Sequence, residues 1–510
     1  MTLKSCNRDS FAAATPFRQR QSTIRPFIWL FMALASLALL SAPGSSHDEM
    51  FHATNIWCGQ GERDPYCSDI QSDTQGSRAL VNVDLLICQK PVDQPLECPS
   101  SGAGSSVRTL NRQGLYPTIP TSEHITFFYF VLSWFVVQSV ESSFIFARLA
   151  VAATVALSLW LLVHNLPNRY RIVAFVMMLT VLPATGFVLF SSINPSAWAS
   201  LGVGFGWLAG HAVLNTHQLT TRRRVLLLFT CAVMTVMAVG SRWDAPAFIA
   251  LILFLVLFEA GWLHFPNMRR LIIVLVVVGP LVLWRLLETL TPLSPVRFAK
   301  LITTYSESQP NNLEYFSTYL LNGLPNALEA LGTVPTTSLI QLPGVVFISN
   351  VVLLGVILIL AYQQESRFQI VGAAVATAFL TLVIMAQVSF VDARDNEGVE
   401  PRYSFPLLLF LVGWWLVHSS NSFRDRLAGK LSLIKWVSIS SFTLTSYAVA
   451  ERNTDVQSFS LQLLPEGPDH WWWSHLPLGP NAVLLFCIIS FAAFCKSSLI
   501  MIAKSGESLA

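Results

Sequence analysis

Apolar runs of about twenty residues recur along almost the whole chain, and they constrain its fold more than any other feature. Residues 342–362 read LPGVVFISNVVLLGVILILAY, without an Asp, Glu, Lys, Arg or His. In a bilayer core no water can reach the backbone of such a segment, so its N–H and C=O groups must pair within it, as a helix. Composition agrees: of 510 residues, 53% are hydrophobic and only 12% are charged. The expected fold class is therefore an all-α, polytopic integral membrane protein with about twelve transmembrane helices. The net charge of +3 is too small to attract nucleic acid, and no such partner is expected. Gly-rich phosphate loops, paired CxxC zinc motifs and strand–helix nucleotide fingerprints are all missing. The glycines between 202 and 210 read as close helix packing.

The basic residues set the order of the segments. Residues 1–25 form a basic tail, and 26–42 a first transmembrane helix, read as uncleaved. Residues 43–143 make a large extracytoplasmic loop. Counting the apolar stretch 125–137 as a span would put Arg169, Arg171, Arg222 to Arg224, Arg269 and Arg270 outside. Laid in the outer interface as a helix, it returns all of them to the cytoplasm. Helices 2–7 then occupy 144–290, a second outer loop 291–341, helices 8–12 residues 342–502, and a short tail 503–510. The expected location is the inner (cytoplasmic) membrane, multi-pass, with both termini cytoplasmic. No internal repeat is evident, which weighs against a transporter built from repeated halves.

With this orientation the unusual polar motifs collect on the outer face. His47-Asp48-Glu49-Met50-Phe51-His52 follows the first span directly. Two carboxylates and two imidazoles within six residues can supply a general base, a Mg²⁺ or Mn²⁺ site formed by Asp48, Glu49 and His52, or a solvated helix cap. Asn194, in Ser192-Ile-Asn-Pro-Ser196, can turn the chain and aim an amide into a site. Arg242 and Asp244 lie together in a second outer turn. Arg402, with Tyr403, opens a span after a densely charged loop, and a guanidinium fork there suits a phosphate. Arg285 and Glu288 can pair within a span, and Trp471 to Trp473 read as an aromatic belt. Cys58, Cys67, Cys88 and Cys98 crowd into the first loop and read as disulfide candidates, with three connectivities open.

In their order, Asp48-Glu49-x-x-His52, Ile193-Asn-Pro-Ser196, Ser241-Arg-Trp-Asp244 and Gly398-Val-Glu-Pro-Arg-Tyr403 with Pro406 resemble a family of bacterial polytopic proteins called domain of unknown function 2142. The likeness runs from about residue 26 to 502. It departs at Glu400-Pro401, where that family tends to carry Gln-Gly. The layout is also similar to membrane glycosyltransferases that use lipid-phosphate sugars (the C-type fold), which place an acidic pair in the first outer loop and interfacial helices before the second span. The resemblance implies an inverting transfer from a polyprenyl-phosphate-linked sugar to an envelope glycan or glycoconjugate, in contact with membrane lipids. In that reading Asp48 is the first choice of base and Glu49 the second. Arg402 and Arg242 receive the departing phosphate, while His52, Asn194, Asp244 and Tyr403 line the substrate. Two other expectations stand beside it: a transporter or flippase for a lipid-linked or small polar solute, and a non-catalytic protein of envelope assembly.

Overall fold

The computed structural model describes residues 16–41, 49, 52, 56, 67–70, 77–80, 127–137, 140–242, 244–261, 279, 282–283, 328–334, 340–362, 366–390, 401–419, 422–452, 463–464 and 478–507. Helices dominate it. Among the described residues, five are long and apolar enough to cross a membrane: Thr23–Leu40, Ser142–Asn165, Ser196–Asn215, Gly344–Ala361 and Pro480–Lys504. A bent pair, Asn168–Thr180 with Leu182–Phe190, makes a sixth if taken as one span. Ala245–Glu259 and Arg402–Val417 are shorter apolar helices, and Thr221–Val239, Arg367–Phe390 and Leu431–Arg452 are further helices of the bundle. The first helix begins at Pro16, ahead of the expected 26, because its polar lead-in is rich in good helix formers such as Arg and Gln. Two small antiparallel ladders depart from an all-helical chain: Cys67–Ile70 with Ser77–Leu80, and Thr333–Val334 with Ile340–Gln341. Both lie in stretches expected to be outer loops.

The segment read as interfacial is not a span. It forms a six-residue helix, Phe127–Leu132, followed by a single tight turn, Ser133–Phe135. Six helical residues rise only about 9 Å, far less than a bilayer core. Phe128, Tyr129 and Leu132 are buried, and the Phe128 N–H is tied to the Gly240 carbonyl at 3.0 Å, so the segment is docked on the bundle.

Within the stretch 144–290 one helix is broken. Its two halves meet at 75° around Val181. Pro183 has no N–H to give to the Leu179 carbonyl one turn back, and its ring crowds that carbonyl, so the chain opens into a π-helical turn over Leu182–Gly186. The stranded Leu179 carbonyl accepts from the Ser438 hydroxyl, which its own helix also holds through Ile434 O at 2.6 Å. A distant helix thus satisfies what the proline leaves open, as an apolar environment requires.

The glycine-rich stretch behaves as its composition suggests. A second π-helical turn, Gly202–Gly206, lies between helices Thr221–Val239 and Pro401–Val417. A Cβ on Gly202 would overlap the Met234 carbonyl oxygen, and one on Gly204 would lie 2.7 Å from the Leu409 Cβ. Gly202→Ala is therefore expected to destabilise the solubilised protein by about 1–3 kcal/mol, because backbone must move to admit the methyl. Gly210→Ala, whose Cβ meets only the Cys231 Sγ at 3.5 Å, should be tolerated. Thermal unfolding of the two variants side by side checks this.

The connections sort the helix ends into two layers. The turns near 165–168, 215–221 and 417–431 share one end with Arg169, Arg171, Arg222 to Arg224, Arg424 and Arg426; there Arg169 donates to the Ser419 carbonyl at 2.9 Å. The opposite end gathers Glu49, the Phe127–Phe135 segment, the 190–196 and 240–244 turns, and the start of the Pro401–Val417 helix.

Candidate functional site

The site grows from Arg148, a lone guanidinium in an otherwise apolar stretch of the Val140–Asn165 helix. Both it and Glu49 are fully buried (0% exposed), where a charge is costly unless it is paired. Arg148 Nε and Nη2 donate to the two carboxylate oxygens of Glu49 at 2.8 and 2.6 Å, a bidentate fork. Its Nη1 donates to the Ala38 carbonyl at 3.0 Å and to that of Ser41, closing off the exposed carbonyls at the end of the first helix. Glu49 Oε1 also faces the Ile193 N–H at 3.5 Å. One ion pair therefore ties the segment after the first helix to the second helix and to the Ile193-Asn-Pro-Ser196 turn.

In that turn Asn194 Oδ1 accepts from the Ser196 N–H at 2.9 Å, closing the bend and starting the Ser196–Leu201 helix. The Ser196 hydroxyl then accepts from Arg242 Nη1 at 2.9 Å. Arg242 is held from the other side by Asp244, with Nε 2.8 Å from Oδ1 and Nη2 bonded to Oδ2. Its guanidinium lies 4.6 Å from the centre of the Tyr403 ring. Arg402 lies 4.8 Å from the same ring, and its Nη2 donates to the Tyr403 hydroxyl at 3.1 Å. Two guanidinium groups thus share one aromatic ring, while Arg242 and Arg402 are only 7% and 3% exposed.

His52 enters from the same segment as Glu49, its Nδ1 2.6 Å from the Tyr129 hydroxyl. Phe128 packs edge-on against Tyr129 and against Trp198, which links His52 to the Ser196–Leu201 helix. Fixed, buried cations beside acidic groups can bind and stabilise an anion that develops charge next to them. A metal centre on Glu49 fits less well. Both its oxygens face the Arg148 guanidinium, and a divalent cation would have to displace or oppose that charge.

A family described as predicted membrane protein (DUF2142) matches residues 31–411. The chain belongs to this family. No curated protein and no solved structure matches it. The DUF2142 match takes in every polar motif singled out in the sequence and ends within the Pro401–Val417 helix. In this DUF2142 chain those motifs converge: Glu49, Asn194, Arg242, Asp244, Arg402 and Tyr403 belong to one connected end of the bundle, with His52 beside them. Asp48, Arg285, Glu288 and Trp471 to Trp473 lie outside the described residues. Of the loop cysteines, Cys58, Cys88 and Cys98 also lie outside them. Cys67 is placed by its backbone, opposite Leu80 in its ladder, while its side chain lies outside them. Among the described residues Cys231, Cys487 and Cys495 are free thiols.

Three partners had no place in the sequence-based site: Arg148, Tyr129 and Ser196. Arg148 carried a signal, since an ionisable residue inside an apolar span is costly and implies a partner. Tyr129 and Ser196 carried none.

Proposed function

We propose that this DUF2142 protein is a membrane glycosyltransferase, moving a sugar from a polyprenyl-phosphate donor to an envelope glycan or glycoconjugate. The observation that supports it best is the pairing of Arg242 and Arg402 on the Tyr403 ring, beside the Glu49 segment and the 193–196 turn. The arginine-rich ends of the bundle fit the cytoplasmic side, so the reaction would take place at the outer face. The donor enters from the bilayer with its lipid phosphate toward Arg402 and Arg242. Asp48, next to the clamped Glu49, takes the proton from the acceptor hydroxyl as the oxygen attacks the anomeric carbon. The anomeric C–O bond breaks with inversion, and its electron pair leaves on the lipid phosphate, where the guanidinium groups offset the charge. Asp244 holds Arg242 in place, and the Asn194 turn shapes the sugar side of the cleft.

Arg402→Met tests the reading more directly than a change at Arg242, which would also break the buried bidentate pair with Asp244. In the native host, Arg402→Met is expected to match the deletion strain: a defined sugar missing from the envelope glycan and its lipid-linked precursor accumulating, at normal protein abundance. Arg402→Lys should restore only part of the activity, because an ammonium cannot reproduce the two-pronged contact. A wild-type glycan profile from an abundant Arg402→Met protein, with the deletion strain still deficient, would overturn the proposal.

A further inference from the structure

At the opposite end of the bundle stands a second polar cluster, which the sequence reading did not anticipate. His211 lies near the end of the Ser196–Asn215 segment, Glu259 is the last residue of Ala245–Glu259, and His418 directly follows Pro401–Val417. His211 Nε2 is 2.7 Å from Glu259 Oε2, and His418 Nε2 is 3.0 Å from Glu259 Oε1. One ligand atom from each of the three lies within 4.8 Å of the other two. We propose that His211, Glu259 and His418 hold one divalent transition-metal ion of the zinc class.

The argument turns on His418. Its Nδ1 is 2.8 Å from the Trp414 carbonyl, which can only accept, so Nδ1 carries the hydrogen. In a neutral ring Nε2 then brings a lone pair close to a carboxylate oxygen that also has only lone pairs to offer, and Nε2 makes no hydrogen bond there. Two acceptors at 3.0 Å need a positive centre between them. A shared proton is one answer; a metal ion bound by all three groups is the other. Outer partners of the kind that orient metal-binding imidazoles are present: the Trp414 carbonyl behind His418, and the Tyr170 hydroxyl 2.9 Å from His211 Nδ1. Two imidazoles and a carboxylate form a set that zinc and its neighbours favour, and tetrahedral ligands at zinc distances stand roughly 3.3 Å apart. The two His–Glu separations, 2.7 and 3.0 Å, would open by a few tenths of an ångström, and the two imidazoles, within 4.8 Å of each other, would draw together around the ion. Trp207 and Trp414 pack against the cluster, whereas Glu259 is 14% exposed, so solvent reaches the carboxylate. The same three helical segments carry Ser196, Asp244 and Arg402 at their other ends, so an ion here would staple the helices that build the candidate site.

The test uses full-length protein in detergent, purified through an affinity tag without histidine and stripped with a chelator. Titration with ZnCl₂ is expected to load one ion per chain and raise the unfolding temperature. Glu259→Gln and His418→Ala should each weaken binding at least tenfold. Co²⁺ should give visible bands typical of nitrogen and oxygen ligands, without the intense thiolate charge transfer that loop cysteines would produce. The cobalt experiment needs only the wild-type chain, so it decides the matter even if the variants fold poorly. Absence of uptake, a thiolate spectrum, or zinc retained in full by both variants would overturn the assignment and leave a proton-bridged His–Glu–His cluster. None of these readouts involves glycosyl transfer, so the outcome is independent of the proposed enzyme activity.

Discussion

Glu49→Gln is expected to lower the stability of the detergent-solubilised protein by about 3–5 kcal/mol, the usual cost of leaving one member of a buried ion pair without its counter-charge. The geometry explains why the figure should reach that range. Both Glu49 oxygens are engaged by Arg148, and neither side chain touches solvent. In the Gln variant an amide NH₂ faces a guanidinium, donor against donor, and the buried positive charge loses its bidentate carboxylate while still donating to the Ala38 and Ser41 carbonyls. Arg148→Met should lose a similar amount, because it takes the counter-charge from the buried carboxylate and uncaps the first helix. Combining Glu49→Leu with Arg148→Met should recover much of the loss, since both members of the buried pair are then removed together. Recovery will be incomplete, as the helix-end carbonyls still lack their donor, at about 1–3 kcal/mol for each stranded group. A double-mutant cycle of thermal unfolding measures the coupling. Additive losses from the two single changes would show that the pair is not what joins the first helix to the 193–196 turn.

The helical fold and the outer motifs were legible in the sequence for a simple reason. Short polar strings such as Ser192-Ile-Asn-Pro-Ser196 and Ser241-Arg-Trp-Asp244 stand out against apolar runs, and a membrane sorts them to the ends of helices. Which end they share follows from where the arginines lie. Partnership was less legible. Glu49 and Arg148 are 99 positions apart, so nothing local distinguishes a carboxylate destined for a buried clamp from one left to act as a base. The bend at Val181 was half visible: Pro183 is in the sequence, but whether it kinks a helix depends on what satisfies the released carbonyl, and Ser438 lies 259 positions from Leu179. The His211–Glu259–His418 cluster was hidden altogether. Its members sit singly in three apolar segments, with none of the short spacings that betray a metal motif on one helix.

The clamp also separates two adjacent carboxylates that the sequence presents as near equals. On the proposed reading, the commitment of Glu49 to Arg148 makes Asp48 the base, and the two substitutions should fail differently. Asp48→Asn is expected to cut the rate of sugar transfer by about 10²–10⁴-fold, the range typical of a lost general base, while the unfolding midpoint stays at the wild-type value. Glu49→Gln should lose stability and activity together, and conditions that restore folding, such as lower temperature or added lipid, should return part of its activity. A pH profile sharpens the distinction. A carboxylate base works only when ionised, so the wild-type rate falls as acid protonates it; Asp48→Asn has no such group and should lose that acid limb. Glu49→Gln, wherever it remains folded, should keep it. Transfer assays in native membranes, using the lipid-linked donor that accumulates in the deletion strain, read all three quantities. Full activity in a well-folded Asp48→Asn protein would remove Asp48 from the chemistry, and a base would then have to come from elsewhere in the first extracytoplasmic loop or from the acidic segment before Arg402.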